Sequence, residues 1–304
     1  MANIGRFGVD IGGTLAKLAY IDSLPVNSDL DFISSKGTVH LRVYENINIP
    51  KLLEYMQSLN FNDPVLPMTG GGSYKYCSLF ESTLNTKVLK VDEMESLFKG
   101  FTAVINEVPT PAYKFSLETG KIPLDPMPLP SLLCNIGSGV SVCKISNKIE
   151  RLTGTCLGGA TALGLASMFL GVKSYDELLE LCFIGNADNV DLLYSDIDKP
   201  DGSPVLAVSL GKLALGEKNA FKREDIAKSI INMVAYNIGH MAYLAGKLED
   251  IGQVCFIGNF IRGYDYIIDR ISFAVNYWSA GNGVALFMKH DGYFGALGCL
   301  FGDN

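Results

Sequence analysis

The alternation of hydrophobic and polar positions is clearest near the start of the chain. Between residues 7 and 20, apolar side chains alternate with glycine or aspartate, give way to Gly12-Gly13-Thr14, and resume at Leu15. Alternation of this kind is typical of a half-buried strand, and a glycine pair between two such runs predicts a hairpin turn. Residues 131–145 repeat the theme around Ile136-Gly137-Ser138-Gly139. The two units, each followed by mixed patterns, predict an α/β fold with two duplicated halves.

The remaining periodicities predict further elements on both sides of a proline-rich stretch. Strands are predicted at 65–68, 87–91, 149–153, 253–257 and 284–288, and helices at 50–59, 92–101, 161–170, 175–183, 223–248, 264–278 and 292–301. Six of the 12 prolines lie between residues 107 and 130, which predicts a loop or a lobe boundary there. Residues 191–201 are polar and rich in turn formers. We therefore expect one lobe over 1–120 and a second over 121–304, with the last helix able to return to the first lobe.

Charge and cysteine content narrow the classes of protein. The chain of 304 residues has 32 acidic and 25 basic side chains, a net charge of −7, and no block of like charge. This balance argues against nucleic acid or an anionic membrane surface as the main partner. The three histidines lack metal-ligand spacing, which argues against a histidine-rich zinc site. Seven cysteines without a CxxC motif, and no secretory pattern, indicate a reducing, cytoplasmic setting.

One uncharged stretch is long enough on paper to span a bilayer. It runs from Leu152 to Val172, but it contains five glycines, three threonines and a serine. A transmembrane helix would be more uniformly apolar. We interpret the stretch as a buried strand, a glycine turn and a core helix.

The first glycine turn has features that suit a polyphosphate. It contains neither a Walker A sequence nor a dinucleotide-binding GxGxxG. Asp10 precedes the glycine pair on the first strand, and Lys17 follows it on the second. Glycines let backbone N–H groups crowd around a phosphate, Asp10 could hold Mg²⁺ through water, and Lys17 could neutralise phosphate charge. The alternative is a plain hairpin with a turn-favouring glycine pair.

Two further elements strengthen the nucleotide interpretation. The turn at 136–139 could grip the same polyphosphate from the other half of the molecule. The apolar strand at 255–257 ends at Gly258-Asn259, where a nucleoside could lie against the backbone. Together, the three elements predict a nucleotide site between the halves.

Ordered motifs along the whole chain carry a family resemblance. They are FGVDIGGTLAKLAY (7–20), MTGGGSYKY (68–76), KVDEME (90–95), NIGSGVSV (135–142), RLTGTCLGG (151–159), NADNVD (186–191), KREDIAKS (222–229), VCFIGNF (254–260), NYWSAG (276–281) and LFMKHDGYFGALG (286–298). On these motifs the chain resembles the eukaryotic-type, or type II, pantothenate kinases of the actin/Hsp70/sugar-kinase superfamily. The resemblance implies a two-lobed actin-like ATPase fold, a duplicated ribonuclease H-like architecture with the nucleotide in the interlobe cleft.

The resemblance also implies an activity and its partners. The activity is ATP-dependent phosphorylation of pantothenate to 4'-phosphopantothenate, the first step of coenzyme A biosynthesis, with Mg²⁺. A homodimer and inhibition by acyl-CoA at the same site are implied as well. Helix 223–248, with its broad apolar face, would be the dimer element, although an ordinary core helix would have the same apolar face.

Individual roles follow from the matching positions. Glu93 is implied as the catalytic base, although an acidic side chain at a helix N-terminus would look the same. Arg151 would bind the substrate carboxylate, although a surface arginine at a strand end is common. The resemblance places Asp10 nearest the metal. The nucleotide-binding set is Asp10, Gly12, Gly13, Thr14, Lys17, Gly137, Ser138, Gly139, Gly258 and Asn259, and the substrate-binding set is Ser138, Ser141, Arg151, Gly70, Gly71 and Gly72.

The roles of one glycine pair stay open, and two positions depart from the family pattern. Gly158 and Gly159 could point a helix N-terminus at phosphate or could serve close packing in a core turn. Ala160 stands where the family has a third glycine, and Lys289 where an acidic residue is usual, so we expect effects on acyl-CoA inhibition or pocket shape.

The rival functions are a kinase for another small acceptor of the hexosamine type, and a non-catalytic nucleotide or acyl-CoA sensor on the same fold.

Overall fold

A computed structural model describes residues 6–197, 205–216, 221–262 and 264–302. The strands are β1 Phe7–Ile11, β2 Leu15–Asp22, β3 Phe32–Ser34, β4 Gly37–Glu45, β5 Val65–Thr69, β6 Lys87–Lys90, β7 Ala112–Ser116, β8 Gly120–Leu124, β9 Ser131–Ile136, β10 Val140–Ile145, β11 Ile149–Thr155, β12 Leu192–Leu193, β13 Leu206–Val208, β14 Gln253–Ile257 and β15 Val284–Met288. The helices are α1 Ile49–Ser58, α2 Gly72–Leu84, α3 Glu93–Glu107, α4 Gly159–Leu170, α5 Tyr175–Ile184, α6 Tyr194–Ile197, α7 Gly211–Leu215, α8 Arg223–Leu248, α9 Asp265–Trp278 and α10 Phe294–Phe301.

Two sheets share one strand order. The first runs β3-β4-β2-β1-β5-β6, and the second runs β11-β10-β9-β14-β15-β7-β8. In each, an antiparallel hairpin (β1–β2 or β9–β10) carries an antiparallel third strand on one side and two parallel strands on the other. The five-strand order β4-β2-β1-β5-β6 is therefore repeated as β11-β10-β9-β14-β15. This repetition confirms the predicted α/β architecture of two duplicated halves.

The proline-rich stretch is more regular than predicted. Instead of a loop, residues 112–124 form the hairpin β7–β8 at the edge of the second sheet, where β7 pairs antiparallel with β15. Pro123 is tolerated because it lies in the edge strand β8, where a missing N–H leaves no central ladder bond unmade. The boundary placed at residues 120/121 falls inside this hairpin, so the change of sheet comes before Ala112.

Helix α10 lies against the first sheet although it ends the described chain. It packs on α3 and β1, and Phe101 meets Phe294 edge to face with ring centroids 6.0 Å apart. Gly8 and Gly100 have no Cβ, which lets the backbone of α10 approach both elements. Helix α3 continues to Glu107, six residues beyond its predicted end, because its second half packs in this core.

Helix α8 is the longest helix of the second half. It begins and ends at the predicted residues, and it buries Ile230, Val234 and Ile238 against the second sheet and helices α4, α5 and α9. Leu244 and Leu248, in its last turns, are exposed. Among the residues that the structure describes, no helix is both long and apolar enough to cross a membrane. The stretch Leu152–Val172 instead forms most of β11, a glycine turn and α4.

Candidate active site

A cavity of about 350 Å³ lies between the two sheets at the ends of their hairpins. It brings together twelve of the residues predicted for the site: Asp10, Gly12, Gly13, Thr14, Lys17, Gly70, Gly71, Glu93, Gly137, Ser138, Gly258 and Asn259. These residues are separated by up to about 250 positions in the chain, and only the duplicated fold makes them neighbours.

Asp10 and Lys17 form an ion pair in the floor of the cavity. They face each other across the β1–β2 hairpin, with Lys17 Nζ 3.7 Å from Asp10 Oδ2. Burial raises the pKa of Asp10, and the positive charge of Lys17 works against that rise. A carboxylate partly stripped of water gains more from a bound cation than an exposed carboxylate does.

Two glycines leave room for the Asp10 carboxylate. A Cβ at Gly70 would stand 2.6 Å from Asp10 Oδ1, and one at Gly295 would stand 2.7 Å from Asp10 Oδ2. Gly70 also has a φ of +82°, a conformation that other residues rarely adopt. Any side chain at either position would press on the carboxylate.

Glu93 stands at the first turn of α3, at the side of the cavity. The preceding residue, Asp92, caps the helix by accepting hydrogen bonds from the backbone N–H groups of Met94 (2.9 Å) and Glu95 (3.0 Å). Partial loss of water raises the pKa of Glu93, the negative charges of Asp10 and Asp92 raise it further, and Lys17 lowers it. A carboxylate with a raised pKa holds a proton more tightly, which suits a general base.

The second glycine turn is bonded to the start of α4. The N–H of Gly159 donates to Gly137 O (2.9 Å), and that of Ala160 donates to Ser138 O (3.1 Å). The N–H of Gly158 donates to Cys156 O (3.1 Å). These amides are therefore already used within the protein. The structure shows the close packing weighed for Gly158 and Gly159, since a Cβ at Gly158 would stand 2.5 Å from Ser138 O; the phosphate-binding helix N-terminus stays a prediction.

A second cavity, of about 450 Å³, opens beside the first. The two share Thr14, Gly137, Ser138 and Asn259. Its wall is apolar and aromatic, formed mainly by Leu163, Tyr175, Leu179 and Phe260. Tyr175 is held in place because its Oη donates to Phe260 O (2.7 Å). A polar cavity joined to an apolar one matches the two ends of a nucleoside triphosphate.

Sequence reasoning missed Asp291. Its carboxylate lines the first cavity and accepts hydrogen bonds from the N–H groups of Gly258 (2.9 Å) and Gly292. Burial raises the pKa of Asp291, while these bonds and the charges of Arg262 and Lys17 lower it. Asp291 follows strand β15 closely, and its role becomes visible only through the hydrogen bond to Gly258, which lies 33 positions earlier in the chain.

Four predicted residues do not line the first cavity. Gly72 begins α2 and packs against Ile11, and Gly139 completes the second turn. Ser141 lies on β10 and Arg151 on the neighbouring strand β11. Arg151 is exposed and has no ion pair or hydrogen bond to the part of the chain that the structure describes. The roles given to these residues remain predictions.

Comparison with known proteins agrees with this architecture. The family model described as Fumble matches residues 6–302. Pantothenate kinase 1 of Arabidopsis thaliana is 36% identical, over 99% of this chain and 86% of that protein. Pantothenate kinase of Schizosaccharomyces pombe is 31% identical, over 98% and 82%. A Mus musculus protein named 4'-phosphopantetheine phosphatase is 34% identical, over 99% of this chain but only 41% of its own length.

Solved structures resemble the chain in fold. A ROK family glucokinase from Streptomyces griseus, in complex with glucose and AMPPNP, gives a TM-score of 0.53 at 11% identity, covering 97% of this chain and 98% of the other. A ROK hexokinase from Thermus thermophilus gives 0.50 at 12% identity, covering 97% and 96%. These likenesses support the actin-like fold of sugar kinases. The family match over residues 6–302, together with the relatives at 31% and 36% identity, shows that the chain belongs to the Fumble family of type II pantothenate kinases.

Proposed function

We propose that the chain transfers the γ-phosphoryl group of ATP to the primary hydroxyl of pantothenate, giving 4'-phosphopantothenate for coenzyme A synthesis. One observation carries the proposal: a single cavity joins a carboxylate with a raised pKa, Glu93, to the Asp10–Lys17 pair and both glycine turns. The names of relatives that match along nearly their whole length support pantothenate as the acceptor.

The residues present fit magnesium and a polyphosphate. A Cβ added at Gly13 or Gly71 would meet nothing within 4 Å, so the cavity has free space beside the backbone. Among the described residues, no three His, Cys, Asp or Glu side chains gather as a metal site. Asp10 would therefore be the main protein group for Mg²⁺, which commonly takes one or two carboxylates together with water and substrate phosphates. When bound there, the ion supplies positive charge close to the transferring phosphoryl group.

Three side chains of the protein have the remaining roles in the proposed reaction. Lys17 neutralises phosphate charge, and Glu93 accepts the proton of the attacking hydroxyl. Asp291 fixes the backbone at Gly258, where β14 ends against the nucleotide. Phosphoryl transfer depends mainly on such positioning and charge neutralisation, so one modest base is enough.

Arg151 and Ser141 are proposed to bind pantothenate, with Arg151 at its carboxylate. They lie on adjacent strands, Ser141 on β10, which follows the second glycine turn, and Arg151 on β11. The register pairs Ser141 with Gly154 and Arg151 with Cys143. Arg151 is free to form a forked contact with the pantothenate carboxylate because no described group holds its guanidinium. An anionic acceptor would be drawn to this cation.

A homodimer is proposed through the ends of α8 and α9. Leu248 is 88% exposed, Leu244 is 45% exposed, and Trp278 is 39% exposed. Trp278 stacks on His240 of α8 with ring centroids 3.9 Å apart, which keeps this apolar surface rigid. Light scattering after chromatography would give twice the chain mass for the wild type and the chain mass for Leu248→Glu. A monomeric wild type would refute the dimer.

An acceptor panel tests the activity. ADP release from Mg-ATP is measured with pantothenate, glucosamine, N-acetylmannosamine or no acceptor. We expect turnover with pantothenate only, and acyl-CoA should compete with it. Turnover with an amino sugar alone would make the chain a hexosamine-type kinase. ATP binding without turnover on any acceptor would make it a sensor.

A further inference from the structure

Asn46 lies directly behind the first glycine turn, immediately after β4. Its backbone N–H donates to Thr14 O (2.8 Å). Its side-chain Nδ2 donates to Gly12 O (2.9 Å) and to Gly13 O (3.0 Å). One residue thus binds three consecutive carbonyl groups of the turn, although it lies more than thirty positions along the chain.

The direction of these carbonyls fixes the direction of the neighbouring amides. In a trans peptide the C=O and the following N–H point opposite ways. With the carbonyls of Gly12 and Gly13 held toward Asn46, the N–H groups of Gly13 and Thr14 point away from it. Gly13 and Thr14 line the cavity, and in the described part of the chain neither N–H has a hydrogen-bond partner. Two free donors therefore face the space for polyphosphate.

The hydrogen bonds also define the orientation of the Asn46 amide. Only Nδ2 can donate to two carbonyls, because the flipped amide would set its oxygen against both of them. In this orientation Oδ1 is buried and has no hydrogen-bond partner among the described residues. An oxygen that is buried without a hydrogen-bond partner lowers the stability of the fold. A shorter side chain that only held the turn in place would avoid this loss of stability. A glycine pair is conformationally loose, so its amides need an outside restraint to keep one direction.

We propose that Asn46 is a positioning residue that presets the N–H groups of Gly13 and Thr14 for the phosphates of the nucleotide. The inference rests on the nucleotide part of the proposed function and not on the identity of the acceptor. Asn46 touches neither cavity, so it acts through the turn alone.

The test compares binding of Mg-ATP with binding of adenosine by isothermal titration. Adenosine should occupy the apolar cavity but has no phosphate. Misdirected N–H groups of Gly13 and Thr14 should therefore weaken the binding of ATP and leave the binding of adenosine unchanged. The variants are Asn46→Ala, which removes the donor, and Asn46→Asp, which also repels the carbonyls. Asn48→Ala and Asn48→Asp are matched controls, because Asn48 belongs to the same short turn and forms no side-chain cap. Thermal unfolding is recorded for all four variants.

We expect both Asn46 variants to weaken Mg-ATP binding at least about tenfold, the loss for about 1.4 kcal/mol of preset hydrogen bonding. Adenosine affinity should stay within about twofold of the wild type, and the Asn48 variants should behave as the wild type. If Asn46→Asp does not fold, Asn46→Ala decides the question.

Three results would overturn the inference. If the Asn46 variants bind ATP as tightly as the Asn48 variants do, Asn46 does not preset the amides. The proposed nucleotide site would be unaffected by that result. Equal losses of ATP and adenosine would make Asn46 a structural clamp only. A wild type that binds adenosine as tightly as ATP would remove the phosphate site itself, and the proposed function with it.

Discussion

Lys17 stands directly opposite Asp10 in the β1–β2 hairpin, with its Nζ 3.7 Å from Asp10 Oδ2. The distance is longer than a close hydrogen-bonded ion pair, so each group remains available to a ligand. The hairpin register therefore sets a cation and a carboxylate side by side at the floor of the cavity. In the proposed function, Asp10 is the group for the metal and Lys17 the group for the phosphates.

Replacing Lys17 by Met should weaken Mg-ATP binding by about 10- to 100-fold, because a buried phosphate contact loses its charge partner. Lys51→Met, at an exposed position of α1, is the control and should leave binding unchanged. Titration of both variants with Mg-ATP measures the effect. Equal affinities would place the phosphates away from Lys17.

Replacing Glu93 by Gln should lower turnover by about 10²- to 10⁴-fold while ATP binding is kept, because the base is lost and the phosphate site is not. Glu95→Gln is the matched control, since Glu95 lies on the same turn and pairs with Lys99 at 2.7 Å outside the cavity. Steady-state kinetics of the two variants give the answer. Full activity in Glu93→Gln would remove the base assignment.

The same substitution should raise thermal stability. At neutral pH, ionised Glu93 has lost part of its hydration and is repelled by Asp10 and Asp92, whereas Gln buries no charge and is not repelled. Because the folded-state pKa of Glu93 is raised, its ionisation opposes folding, and this cost grows as pH rises through the ordinary carboxyl range. Calorimetry at pH 7 should therefore show a higher unfolding midpoint for Glu93→Gln than for wild type. A lower midpoint would show that Glu93 supports the fold.

Activity should fall as pH decreases, because protonated Glu93 cannot accept the proton of the hydroxyl. The raised pKa of Glu93 moves this loss to a higher pH than for an ordinary glutamate, whose pKa is about 4.3. The acid limb of kcat/KM for pantothenate, measured at saturating ATP, reports it. An acid limb at or below the ordinary value would contradict the raised pKa that burial and the nearby negative charges give Glu93.

Gly70→Ala should lower the free energy of unfolding by about 2 to 4 kcal/mol, because Ala combines a strained backbone with a clash against Asp10 and Ile11. Gly71→Ala should be neutral or slightly stabilising, since Gly71 has a φ of −59° and open space around its Cβ position. Denaturant unfolding of the pair measures the difference. Similar values for both variants would show that Gly70 is not tightly packed.

The sequence predicted the parts of the fold that local patterns determine. The glycine turns, β14, β15 and α8 were recognisable because their apolar spacing is unbroken, and each has the predicted bounds or differs by a residue or two. Strands β3 and β4 and helix α2 were not predicted. Strands β7 and β8 were hidden by prolines, and β7 pairs with β15, a partner about 170 residues away. Long-range pairing of this kind leaves no local pattern.

The site was predicted by motif and completed by geometry. Asp10, Lys17 and Glu93 could be named because each stands beside a distinctive turn or helix start. Asp291 and Asn46 could not, because their importance comes from hydrogen bonds to distant backbone groups. Conversely, the sequence suggested that the amides of Gly158 and Gly159 could bind a phosphate. Only the structure shows that both N–H groups donate to backbone carbonyl groups of the protein.

The most direct test of the central claim is the product. Wild type and Glu93→Gln are incubated with Mg-ATP and pantothenate, and the mixtures are analysed by mass spectrometry and for ADP. We predict 4'-phosphopantothenate in equal amount to ADP with wild type, and almost none with Glu93→Gln. A wild type that binds ATP yet leaves pantothenate unmodified would contradict the account.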